Sequence, residues 1–215
     1  MKTYTSEYSG NLTPNQAYEL LKEGNKRFAK NQDAHNSLQA AHPFAVVLSC
    51  TDCSDSPGQL FDQEAGAIFN VRIAGNVINE DVLGSIEYAC KLAGTVLIVV
   101  LGHTKCGAVK GACEGVELGN FTGLLEKIRP AVESTKVYGL GDHHYLYAEK
   151  VSYTNVINSM EEIMQRSSII RELCGEGKIG IVAGMFNIES RRVHFVREIL
   201  PKEEADSLPA EQMAG

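Results

Sequence analysis

Thr95-Val96-Leu97-Ile98-Val99-Val100-Leu101-Gly102-His103-Thr104-Lys105-Cys106 opens with an unbroken apolar and β-branched run and closes on a turn that carries a histidine and a cysteine. A run without polar alternation reads as a strand covered on both faces, the condition of strands inside a parallel sheet. Phe44-Ala45-Val46-Val47-Leu48 repeats the pattern and ends on Ser49-Cys50. Residues 69–73 and Ile179-Gly180-Ile181-Val182-Ala183 supply two further strands, and 193–196 an edge strand. Between them the spacing predicts helices over 81–92, stopped by Gly94, and over 124–133. A single long helix is expected over 152–173, while 109–119 is open to either reading. Strands alternating with helices predict an α/β fold, a mainly parallel sheet flanked by helices.

Outside this core, Leu12-Thr13-Pro14-Asn15-Gln16 combines an N-cap threonine, a proline in the first turn and a glutamine that closes a capping box. A helix is expected from residue 14 to 29, with an apolar stripe at Ala17, Leu20, Leu21 and Phe28. So short an arm cannot bury that stripe alone and needs the body or a second subunit. One domain over 1–215 is expected, with an N-terminal helical arm over 1–40 and a polar tail from about 202. The 215 residues carry 20 Lys+Arg against 27 Asp+Glu, a formal charge of −7, with no basic stripe interleaved with aromatics. That balance argues against nucleic acid as a partner. No apolar run reaches the ~20 residues of a membrane span, and the first twenty positions carry no signal-peptide core, so a soluble, cytoplasmic protein is expected.

Six cysteines, Cys50, Cys53, Cys90, Cys106, Cys113 and Cys174, in a chain of this kind do not read as a disulfide framework. Most read as packing, since a free cysteine is among the most buried residue types. Cys50, His103 and Cys106 differ because they stand at the carboxyl ends of two strands, where open α/β sheets gather their ligands. Two thiolates and an imidazole suit tetrahedral zinc, and three protein donors leave a fourth position open, the pattern of a catalytic site. The glycine-bearing turn 102–111 lacks the Gly-Lys-Ser/Thr ending of a phosphate loop. Adjacent histidines such as His143-His144 seldom face one ion and read as surface residues.

The ordered series Val47-Leu48-Ser49-Cys50-Thr51-Asp52, Phe61-Asp62-Gln63, Val71-Arg72-Ile73-Ala74-Gly75-Asn76, Ser85-Ile86-Glu87-Tyr88-Ala89 and Val99 through Val109 resembles the β-class carbonic anhydrases. Leu118-Gly119-Asn120, Ile170-Arg171-Glu172 and Gly177 through Val182 carry the likeness across nearly the whole chain. The resemblance implies a zinc lyase that interconverts carbon dioxide and bicarbonate, with metal ligands at Cys50, His103 and Cys106 and a catalytic aspartate at Asp52. It also implies a homodimer or larger assembly, such as a homotetramer, embraced by N-terminal helices. In that chemistry zinc acidifies a bound water to hydroxide, which attacks carbon dioxide. Two anionic thiolates soften the metal's charge, so activity is expected to favour mildly alkaline pH.

The likeness breaks where the family reads Cys-Ser-Asp-Ser-Arg, since this chain reads Cys50-Thr51-Asp52-Cys53-Ser54. Serine at 54 cannot replace the planar, two-pronged grip of the arginine on the aspartate. A second register, Cys53-Ser54-Asp55-Ser56-Pro57, also lacks the arginine. The first is preferred because Cys50 directly ends the strand and places Gly66 and Arg72 at the family's spacing. Ala41, Ala67 and Phe186-Asn187 stand where many members carry Gln, Asp and Tyr-Asp. Without its arginine, Asp52 is expected to turn to the metal and occupy the fourth position, a closed state. Two alternatives follow: the same zinc chemistry on carbonyl sulfide or carbon disulfide, or a non-catalytic zinc protein closed by Asp52. Cys53 reads as a packed side chain in place of the usual serine.

Overall fold

The structure is a computed structural model that describes residues 43–63, 65–136 and 144–201, all within the second of the two units into which the chain divides, 42–215. The arm expected over 1–40, Ala41, the tail from 202 and the side chains of the His143-His144 pair lie outside the described residues.

Five strands form one sheet in the order β2-β1-β3-β4-β5, where β1 is Ala45–Ser49, β2 Ile68–Arg72, β3 Leu97–His103, β4 Gly180–Asn187 and β5 Arg192–Ile199. The first four are parallel, and β5 runs antiparallel along β4 with a register shift between Ala183 and Gly184. The expected strands are therefore present. The central three are almost wholly buried, which explains why their sequences show no polar alternation. The edge strand β5 is mostly exposed, with only Val193 and Val196 partly covered.

The helices are α1 Pro57–Leu60, α2 Glu80–Glu87, α3 Gly107–Glu114, α4 Gly119–Leu125, α5 Arg129–Lys136, α6 His144–Arg166 and α7 Ser168–Gly175. The helix expected over 81–92 is α2 followed by a wider π turn over Tyr88–Leu92, and the undecided stretch 109–119 is α3 ended by Gly115 at φ 68°. Two helical expectations need correction. The helix expected over 124–133 is two helices parted at 126–128, because Pro130 lacks the N–H that a continuous ladder requires. The single helix expected over 152–173 begins earlier, at His144, and breaks at Ser167. There the serine hydroxyl accepts from the Ile170 N–H at 3.1 Å and donates to Glu87 at 2.6 Å, starting α7 afresh.

Val46, Leu48, Ile98, Val100, Ile181 and Ala183 face Ile86, Val156, Met160, Ile163 and Ile170 of the flanking helices in the larger core. The opposite sheet face is lined by Val47, Val99, Leu101, Val182 and Phe186, and Cys53 packs with them. Among the described residues no helix is long and apolar enough to cross a membrane.

Gly102 lets α6 approach β3, for a Cβ there would overlap Val156 Cγ2 and stand 2.7 Å from Met185 Sδ. The substitution Gly102→Ala is expected to lower stability by about 2 kcal/mol through overpacking of a closed core. Urea unfolding of the two proteins checks it, and equal midpoints would show that the helix gives way freely.

Candidate metal centre

The sheet's order reverses at β1: β2 lies on one side and β3 on the other, so a crevice opens above the carboxyl ends of β1 and β3. Ser49 pairs with Leu101, so Cys50 and His103 leave the sheet at one end. The next turn brings Cys106 back, with Lys105 held at φ 58°. A lysine in the left-handed region needs fixing from outside. Its N–H donates to Glu149 of α6 at 2.7 Å, and its ammonium meets Glu189 at 2.5 Å.

Cys50 Sγ, Asp52, His103 and Cys106 Sγ converge so closely that one donor atom from each lies within 4.8 Å of all the others. The two sulfurs are 3.7 Å apart, and His103 Nε2 stands 2.6 Å from Asp52 Oδ1. Both cysteines and the histidine are buried, whereas the Asp52 side chain is 46% exposed. Three dry donors and one wet one thus share a point.

The hydrogen-bond pattern shows what that point requires. His103 Nδ1 lies 3.0 Å from the carbonyl of Thr104. A carbonyl only accepts, so Nδ1 carries the proton and Nε2 presents a lone pair to the cluster. That buried Nε2 makes no hydrogen bond of its own, and it faces a carboxylate oxygen, another acceptor. Burial pulls the pKa of His103 down, but Cys50, the Asp52 charge and the Thr104 carbonyl together push it above the ordinary value. A hydrogen bond from Cys106 draws the Cys50 thiol down to about 5 against the cost of burial, and the Cys50 thiolate in turn pushes Cys106 up. Two sulfurs, a ring nitrogen and a carboxylate thus converge with no positive charge among them. The donor set of two thiolates, an imidazole and a carboxylate fits zinc.

The loop between β1 and α1 is shaped by Arg72 at the end of β2. Its guanidinium donates to the carbonyl of Cys50 at 3.3 and 3.1 Å, to that of Thr51 at 3.4 Å, and to that of Cys53. Arg72 is therefore committed to the loop backbone, and among the described residues no arginine pairs with Asp52. Ser54 is exposed and reaches Asp55 at 3.4 Å. Instead the Gly107 N–H donates to Asp52 Oδ2 at 2.9 Å.

Cys53 lies outside the group, buried on the other sheet face, where its thiol approaches the Asp55 carbonyl at 3.6 Å. Burial raises its pKa, as it does those of Cys90, Cys113 and Cys174. Phe186 fills core, and Asn187 accepts from the N–H groups of Glu189 and Ser190 to shape the β4–β5 turn.

Several contributors were absent from the sequence reading. The Gly75 N–H donates to Cys50 Sγ at 3.1 Å, in a turn where Gly75 has φ 66° and Asn76 φ 45°. Asn155 and Ser159 of α6 hold that turn by donating to the carbonyls of Gly75 at 2.8 Å and Asn76 at 3.1 Å. The Gly75-Asn76 pair itself was the one available signal, since both residue types tolerate left-handed backbone.

Comparison with known proteins agrees with this geometry. A carbonic anhydrase family model matches residues 45–193. Carbonic anhydrase 2 of Mycobacterium tuberculosis is 34% identical over 196 residues, covering 85% of this chain and 92% of the relative. The carbonic anhydrase of Mycolicibacterium smegmatis is 34% identical over 197 residues, covering 85% and 93%. Among solved structures, the β-carbonic anhydrase CafA of Aspergillus fumigatus superposes with a TM-score of 0.74 at 21% identity, over 84% of this chain and 90% of that one. A tetrameric β-carbonic anhydrase of Sordaria macrospora gives 0.73 at 18%, over 85% and 97%. With its sheet order, its Cys-Asp-His-Cys group and these relatives, the chain belongs to the β-class carbonic anhydrase family.

Proposed function

We propose that this chain is a zinc-dependent carbonic anhydrase that interconverts carbon dioxide and bicarbonate from a closed resting state. In that state Cys50, His103 and Cys106 hold zinc and Asp52 completes the set. The observation that carries the reading is the bare, buried Nε2 of His103 among two sulfurs and a carboxylate. When bound, zinc supplies Lewis acidity that makes a nucleophile from water near neutral pH and offsets the charge of the anionic product.

The protein's own part is positioning and proton traffic. The Thr104 carbonyl fixes the tautomer and orientation of His103, a support of the kind that raises ligand basicity. The Gly75 amide steadies the Cys50 thiolate. Asp52 is the one exposed member, and once displaced its carboxylate can accept a proton at the mouth of the site. Arg72 keeps the loop carrying Cys50 and Asp52 in shape. A homo-oligomer belongs to the same reading, in keeping with the tetrameric Sordaria macrospora relative.

The lack of an arginine beside Asp52 favours one second reading, a zinc protein whose site stays shut. Stopped-flow measurement of carbon dioxide hydration on zinc-loaded protein, from about pH 7 to about pH 9, separates the two because ionisation of water at zinc sets the profile. The expected result is hydration that rises toward alkaline pH, disappears when a chelator strips the metal and returns with added zinc. Absence of zinc-dependent hydration at every pH would overturn the carbonic anhydrase reading.

A further inference from the structure

We propose that Gly107 is the positioning residue that keeps Asp52 in the metal cluster, its backbone amide acting where no arginine is present; this rests on the closed state above. Gly107 is the first residue of α3, an eight-residue helix whose N-cap is Cys106. An amide at this position has no partner within its own helix. Here it donates to Asp52 Oδ2 at 2.9 Å, while Oδ1 of the same carboxylate faces His103 Nε2 at 2.6 Å.

The two oxygens are thus divided, one to the helix and one to the donor group. The partial positive charge of a helix N-terminus strengthens such a bond to an anion. The side chain at 107 matters as much as the amide. A Cβ there would stand 3.0 Å from Asp52 Oδ2, closer than ordinary contact, so any residue but glycine pushes the carboxylate away from the amide that holds it. Ser54 reaches Asp55 and Arg72 reaches the loop carbonyls, so neither is spent on Oδ2.

The backbone permits a direct test. Cys106 is extended, at φ −66° and ψ 121°, as a residue before proline must be. Proline is also well suited to the first position of a helix, so Gly107→Pro deletes the amide hydrogen with little cost to α3. Gly107→Ala keeps the amide and adds only the crowding methyl, which guards against a variant that fails to fold. Full-length protein is loaded with cobalt(II) in place of zinc, and azide is titrated while the visible d–d bands are followed. Azide competes with Asp52 for the open coordination position, so its affinity reports how firmly the carboxylate is held.

Loss of a charge-assisted hydrogen bond should tighten azide binding by about tenfold or more in Gly107→Pro. A smaller gain is expected in Gly107→Ala, and Asp52→Ala should show the largest. If Asp52→Ala binds azide tightly but both Gly107 variants behave as wild type, the role of Gly107 is refuted and the closed state stands. If Asp52→Ala itself does not differ from wild type, Asp52 does not occupy the fourth position and both readings fall.

Discussion

Cys50→Ala is expected to lose stoichiometric zinc, while Cys53→Ala keeps it. Both thiols are buried, three residues apart in one loop, and each can be aligned with the family's first cysteine, so the pair tests the ligand set directly. Cys50 Sγ lies 3.7 Å from Cys106 Sγ and receives the Gly75 N–H at 3.1 Å, both marks of a thiolate position. Cys53 sits among Val47, Val99 and Phe186, with burial pushing its thiol up and away from the ionised form a metal requires. Loss of partners outside the ligand shell alone weakens metal sites by roughly 10–100-fold, so removal of a ligand should exceed about 100-fold. Removal of the Cys53 sulfur leaves a small cavity worth about 1 kcal/mol of stability. Metal analysis after dialysis, with circular dichroism to confirm folding, checks both. Zinc retained in Cys50→Ala and lost from Cys53→Ala would transfer the site to the second register.

Ser54→Arg is expected to raise carbon dioxide hydration near neutral pH by about tenfold or more, since a charge-assisted pair with Asp52 would draw the carboxylate off the metal. Position 54 is exposed, two residues beyond Asp52, and its present hydroxyl reaches Asp55. Arg72 cannot perform the task from its own position because its guanidinium already serves three loop carbonyls. Ser54→Lys separates geometry from charge: an ammonium lacks the planar fork, so its gain should be much the smaller. Equal hydration by wild type and Ser54→Arg, with the wild type already fast, would show that Asp52 leaves the cluster without help. That result would remove the closed resting state while leaving the zinc assignment intact.

Much of the fold could be read locally. Val46 through Leu48 and Ile98 through Leu101 are apolar at every position because helices or loops cover both faces of those strands, and burial of that kind leaves its mark residue by residue. Cys50, His103 and Cys106 stood out for a similar reason: metal donors at strand ends combine a side-chain type with a place in a local pattern. The helix break at Ser167 carried a local signal in the serine that caps Ile170, while the contact of its hydroxyl with Glu87, eighty positions earlier, was not legible. The parting at 126–128 did have a local signal, Pro130, which the expected helix over 124–133 left out of account.

The surroundings of Asp52 show where local reading ends. The sequence determined by itself that an aspartate stands two residues after Cys50, and that a serine occupies position 54, where the family resemblance leads one to expect an arginine. Only the tertiary structure decided what took up the carboxylate: an amide 55 positions away, at the start of α3, backed by the absence of a Cβ. It decided equally that Arg72 spends its donors on the loop carbonyls and that Asn155 holds the turn behind Cys50. Side-chain patterns record what each residue buries or ligates, but every residue save proline carries the same backbone N–H, so its assignment to one distant acceptor emerges only when the chain is folded.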